Sequence, residues 1–313
     1  MDTGYYVATT VSSVLSQNEG QCRQSLREFI SSSNYAIYSV AGAIEVVPVS
    51  ESALIDAWTA DISRFAMAAF ETMATAQAPA ALPRSLAWLC IKAYYAAYFA
   101  AHTLLRLSGV SLTTFAAKEK SAIRSVTYTY LGTAYSVTGG VHAVTLTPSP
   151  ASVDIKPLPE DSSHLPVWRY FGSFIDEVLT AIATLPTSAD VLNAINDLSD
   201  LQKDLRRIGG PTELSTVRND INYQQMYEVW YPYGARDIDG LELVRIMSHW
   251  LGTAPRSGAL HGAQNDALAM TDLAIRIVHL CRSTITAVAS LNTGNRSFLG
   301  RRAQPLLNLL AAV

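Results

Sequence analysis

A chain of 313 residues is long enough to bury one large hydrophobic core or two of ordinary size. Apolar residues make up 49% and charged residues only 16%, against about 25% charged in an average soluble protein, so surface is expected to be hidden against the chain itself or a partner. A net charge of −3 gives no global field for a polyanion, and three scattered cysteines, Cys22, Cys90 and Cys281, fit neither a disulfide framework nor a zinc knuckle but a reducing, cytoplasmic setting.

The opening "MDTGYYVATTVSSVLSQ" has an acid at Asp2, no basic leader and no long apolar core, so it does not read as a signal peptide. Residues 7–46 are expected to form one or two helices, with Leu26, Phe29, Ile30 and Tyr38 at roughly helical intervals. Ser50 or Ser52 then caps a helix whose apolar set includes Leu54, Ile55, Trp58, Ile62, Phe65, Met67 and Phe70, ended by the prolines of "AQAPAALPRS". The next helix, 84–108, is long and periodic and stops at Ser108-Gly109. Lys92, His102 and Arg106 interrupt its apolar run before the roughly 20 residues a bilayer requires, so a buried helix is expected and no membrane contact.

Beyond it, "RSVTYTYLGTAYSVTGGVHAVTLTPSP" is dense in Val, Thr and Tyr and carries Gly139-Gly140, which predicts a small β-hairpin or meander around 122–147 inserted between helices. Five prolines across 148–166 predict a loop. Helices resume with "VWRYFGSFIDEVLTAIATL" and "SADVLNAINDLSDLQKDLRRIG", the second stopped by Gly209-Gly210-Pro211, then with the stretch "STVRNDINYQQMYEVWYPYG", closed by Pro232, and with "LELVRIMSHWL" and "NDALAMTDLAIRIVHLCRSTITAVASL". The fold class this predicts is mainly α, a multi-helix bundle with a small β insertion.

No phosphate-binding loop, dinucleotide fingerprint, zincin motif or nucleophile elbow occurs, so no cofactor is implied. The six histidines lack metal-ligand spacing apart from the weak trio His249, His261 and Asp266, and a lone one such as His279 reads as a satisfied core residue. On the 84–108 helix, Lys92, Tyr95, Phe99, His102 and Arg106 recur in steps of three and four, within a stripe roughly 80° wide. The stripe is either a phosphate-and-base surface, with Lys92, His102 and Arg106 on backbone charge and Tyr95 as a stacking plane, or a core face whose cations snorkel to water. In "RNDINYQQMYEVWYPYG", Arg218 and Asn222 share a face while Tyr223 lies roughly 140° away; for Arg218 and Tyr223 to serve one site, a second copy must contribute or the helix must break.

"KAYYAAYFAAHTLLRLSG", followed far downstream by "VRNDINY", resembles the HEPN (higher eukaryotes and prokaryotes nucleotide-binding) superfamily over residues 84–234. The resemblance implies a helical bundle over 84–235 that carries the β insertion and the proline loop; the chain then divides into an N-terminal helical segment (1–83), this bundle, and C-terminal helices (236–313) that form a separate unit or pack into the same domain. The resemblance also implies the activity of the many members that are metal-independent ribonucleases or toxins of bacterial immunity, dimers whose Arg and His pairs converge on RNA. Arg218 matches the motif arginine and Asn219 its polar neighbour, while Tyr223 stands in the histidine slot. A tyrosine with pKa about 10 is poorly matched to proton transfer near neutrality, whereas Arg218 retains bidentate phosphate binding.

The catalytic candidates are therefore Arg218, Asn222 and Tyr223, with the loop-like R-x4-H pair Arg256 and His261 as rival. The nucleic-acid candidates are Lys92, Tyr95, His102, Arg106, Asn219 and Trp230, the last within a ring cluster with Tyr227, Tyr231 and Tyr233 that either stacks bases or packs a helix end. The expectation is an RNA- or partner-binding subunit of an oligomeric assembly in prokaryotic antiviral defence, with a degenerate catalytic motif. An active metal-independent endoribonuclease and a non-binding structural scaffold are the alternatives. Low charge content predicts a homo-oligomer or a stable protein partner.

Overall fold

The computed structural model describes residues 2–16, 18–20, 23–40, 43–77, 85–135, 137–148, 150–230, 240–252, 265–291 and 298–311. The chain is mainly α-helical, with one antiparallel five-stranded sheet. Helix α1 (Thr3–Thr9) is capped by Asp2, whose carboxylate accepts from the Gly4 amide at 3.2 Å; α2 (Ser13–Ser16) follows. In α3 (Leu26–Ser31), Ser25 and Glu28 satisfy each other's amides as a capping box. The helical expectation for 7–46 fails beyond Ser31. There the chain forms a hairpin of β1 (Tyr35–Val40) and β2 (Ala43–Pro48), with Tyr35, Ile37, Ile44 and Val46 buried and Tyr38 exposed. That is the period of two that one buried sheet face requires.

Helix α4 (Glu51–Gln77) begins where expected, the Ser50 hydroxyl accepting from Ala53 N at 3.3 Å. It packs along α5 (Ala87–Leu107), which hands over at Gly109, in the left-handed region at φ 89°, to β3 (Val110–Thr114). The meander expected around 122–147 is corrected here. Residues 117–131 form α6 (Ala117–Leu131), because Ala122, Ile123, Val126 and Thr127 recur at i, i+1, i+4 and i+5 and bury one helical face, and Glu119 accepts from the Ala116 amide at 2.7 Å. Only the second half is extended, as β4 (Val141–Pro148).

The predicted proline loop is corrected too. Its first part is β5 (Ala151–Pro157), seated between β2 and β4 in the order β1-β2-β5-β4-β3. Val144 and Ile44 both face Ile155 across the ladder. Pro148 and Pro157 end their strands, and Pro166 falls in the first turn of the next helix, where no intrahelical N–H is needed. The sheet therefore joins the N-terminal hairpin to strands a hundred residues later; it is not an insertion between helices.

Helices α7 (His164–Ala183) and α8 (Ala189–Arg207) follow, then α9 (Glu213–Asn219), which widens into a π turn at Asp220–Gln224. Then come α10 (Gly240–Met247), a 3₁₀ turn (Ser248–Leu251), α11 (Asp266–Leu291), α12 (Phe298–Arg301) and α13 (Ala303–Ala311). By length and composition α11 could cross a membrane, yet 78% of its most apolar window is buried in the fold, against α1, α4 and α5. A buried ion pair between Asp204 and Arg276 ties α8 to it. His279 lies on α11 with Nδ1 3.2 Å from Trp250 O, a satisfied core histidine as expected.

Candidate functional site

The stripe on α5 divides into an open and a closed half. Lys92 is exposed, Tyr95 and Phe99 are half-buried, and His102 and Arg106 are each 3% exposed. Phe65 of α4 closes that end, with its ring 4.7 Å from the His102 ring and 4.1 Å from the Arg106 guanidinium carbon. Arg106 Nη1 donates to His102 Nδ1 at 2.8 Å and to His102 O at 3.1 Å, which makes His102 a neutral acceptor at Nδ1. Burial, and then the Arg106 charge, hold His102 well below the usual histidine range; burial also lowers Arg106 to about 10, opposed by the Asp61 carboxylate. Two residues expected to meet phosphate are thus core groups engaged inside the fold, Arg106 with His102 and with the charge of Asp61, and His102 with Arg106.

Arg218 comes from the last turn of α9 and reaches the middle of α5. Its guanidinium carbon stands 5.2 Å from the Tyr94 ring centroid and 5.5 Å from that of Tyr95. It is 5% exposed, its Nε has no hydrogen-bond partner, and among the described residues it pairs with no carboxylate. The two segments expected to form a site therefore meet. Asn219 and Tyr223 do not join them: Asn219 is exposed, Tyr223 is 73% exposed, and Asn222 is half-buried. Arg256 and His261 lie outside the described residues.

The helix does break after Arg218, and the break is costly. Beyond the π turn, Gln225, Tyr227 and Glu228 adopt positive φ of 56°, 67° and 53°, a region non-glycine residues rarely enter. Hydrogen bonds hold it: Tyr227 Oη donates to Asp220 Oδ2 at 3.0 Å and Trp230 Nε1 to Ile221 O at 2.6 Å. Val229 O accepts from the Leu86 and Ala87 amides at 2.8 and 3.1 Å, docking the segment on the start of α5. Trp230 stands edge-on to Trp88, with ring centroids 5.4 Å apart.

The sequence reading missed His164. It opens α7, and its Nδ1 lies 2.9 Å from the Tyr94 hydroxyl, the same tyrosine whose ring Arg218 faces. Trp168 Nε1, a donor only, points at that hydroxyl from 3.1 Å, and Ser215 Oγ lies 3.2 Å away. Burial first, and the Arg218 charge second, push His164 down to about 4. Trp168 already donates to the Tyr94 oxygen, so the hydroxyl hydrogen is shared between His164 Nδ1 and Ser215 Oγ; when it lies on Nδ1, the imidazole proton sits on Nε2, which has no partner among the described residues. "DSSHLP" marks a helix start, but nothing local in it shows that Tyr94, seventy residues earlier, would meet that histidine.

The arrangement offers the guanidinium of Arg218 as a hydrogen-bond donor and His164 beside the same tyrosine, with the exposed ammonium of Lys92 one turn before Tyr95 on α5. Among the described residues no group of His, Cys, Asp or Glu could hold a metal ion. A separate groove of about 410 Å³ lies at the far end of α5, bounded by Leu105, Val110, Tyr170 and Phe174; Arg169 on its wall is paired with Glu160 at 2.7 Å. Compared with family models, characterised proteins and solved structures, the chain matches none.

Proposed function

We propose that the chain binds the phosphate backbone of RNA at Arg218, as the RNA-binding subunit of an oligomeric, HEPN-like assembly. One observation carries this: a guanidinium 5% exposed, faced by two tyrosine rings and paired with no carboxylate among the described residues. Burying an unpaired charge costs several kcal/mol after relaxation, roughly, and cation–π contact returns only about 2 kcal/mol. A phosphate oxygen supplies the missing counter-charge, and a guanidinium fork matches it. Binding is favoured over cleavage because burial and the Arg218 charge push His164 down to about 4, far from the value a proton shuttle needs near neutrality, and its Nδ1 is engaged by Tyr94, while Tyr223 points outward. The setting in prokaryotic antiviral defence rests on the resemblance to the superfamily alone.

The test is fluorescence anisotropy of a short labelled RNA over a salt series, with Arg218→Gln and Lys92→Ala beside the unaltered protein. Arg218→Gln is expected to weaken binding at least about tenfold, and Lys92→Ala to flatten the salt slope by about 1. RNA bound equally by Arg218→Gln, or by no variant at any salt, overturns the proposal.

A further inference from the structure

Trp88 sits in the first turn of α5 with 53% of its surface exposed, an unusual placement for the largest apolar side chain. It does not wave freely. Trp230 abuts it edge-on at 5.4 Å and 81°, and Trp230 is itself fixed by its 2.6 Å hydrogen bond to Ile221 O, three residues beyond Arg218. The result is a propped indole plate beside the segment that carries the arginine. Along α5, Trp88, Lys92 and Tyr95 follow at i, i+4 and i+7, on one face of the helix. The plate therefore precedes the Tyr95 ring by about 10 Å along the axis, with an exposed ammonium between them.

From this we infer that Trp88 is a stacking platform for an unpaired base, which makes single-stranded rather than duplex RNA the ligand. The inference rests on the phosphate-binding role of Arg218. A flat aromatic face beside a cation is the pattern by which proteins hold single strands: phosphates meet the charge and bases meet the ring. A duplex keeps its bases stacked on one another and presents only its backbone, so it gains nothing from the indole. The charge of Lys92, one turn from the plate, complements a polyanion and not an apolar partner helix.

The experiment measures anisotropy of one labelled RNA, single-stranded and annealed to its complement, against the unaltered protein, Trp88→Ala, Trp88→Phe and Arg218→Gln. Inorganic tripolyphosphate serves as a competitor without bases, and light scattering reports self-association. Single strands are expected to bind more tightly than the duplex. Trp88→Ala is expected to lose about tenfold in single-strand affinity while tripolyphosphate competes at unchanged concentration, and Trp88→Phe to retain most of the affinity. Full affinity in Trp88→Ala with loss in Arg218→Gln overturns the base platform and leaves the phosphate role standing. Full affinity in both overturns both. Loss of self-association in Trp88→Ala with RNA binding unchanged makes the plate a protein contact and also overturns the inference.

Discussion

Mild acid should destabilise this fold through His164. In the unfolded chain this histidine takes a proton near its ordinary value of about 6.5, but in the fold burial and the Arg218 charge push it down to about 4. As pH falls through that window the unfolded state binds the proton and the folded state refuses it, so stability is full above about 6.5, declines toward 4 and then levels off as far as this group is concerned. At about 1.4 kcal/mol per tenfold change in proton affinity, the difference corresponds to about 3 kcal/mol. Because His164 is only half-buried, solvent screening reduces the expected effect to about 2 kcal/mol. His102, neutral and fully buried beneath Phe65, acts in the same direction, so the two must be separated. His164→Asn keeps an acceptor for the Tyr94 hydroxyl and cannot titrate. Urea unfolding of both proteins between pH 7 and about 4.5 should show the unaltered protein losing about 2 kcal/mol more than His164→Asn. Parallel losses would refute the placement of a neutral His164 beside Arg218.

The same linkage acts on binding. Burial is the larger cause of the depressed His164 and the Arg218 charge the smaller; an anion at Arg218 cancels only the second, so RNA affinity should rise as pH falls from about 6 toward about 4.5, with no such rise in His164→Asn, and anisotropy at several pH values decides it. Gly4 packs α1 directly on α11, where an added Cβ would lie 2.3 Å from Ser283 Oγ and 2.4 Å from the Ser283 carbonyl carbon. The backbone cannot yield as a flexible side chain would, so Gly4→Ala should cost about 2 kcal/mol or more in urea unfolding, and an unchanged midpoint would contradict the α1–α11 packing.

What the sequence made legible is what a 3.6-residue period reports. α4, α5, α7, α8 and α11 each bury a stripe long enough to be read, and α5 could be placed to within three residues at either end. The strands were harder. β1 and β2 are six residues each, and helix-length windows across α3 and β1 average a period of three with a period of two. β5 was hidden by its prolines, which in fact stand at its ends, and α6 by β-favouring Val, Thr and Tyr, whose preference yields to a buried helical face. At the site, the stripe on α5 and the "VRNDINY" segment could be singled out, and Arg218 does meet Tyr94 and Tyr95, but nothing local showed that Phe65 would cover His102 and Arg106. The π turn that parts Arg218 from Tyr223, and the meeting of His164 with Tyr94, depend on contacts far apart in sequence.

The role proposed for Arg218 is that of a buried cation, paired with no carboxylate among the described residues and kept for an external anion. Its most direct test is the melting temperature of Arg218→Met without ligand, since methionine fills similar space and carries no charge. This variant is expected to melt at or above the temperature of the unaltered protein, because removing an uncompensated buried charge relieves the fold. A fall of several degrees would show that the guanidinium holds the core together, and would contradict that role.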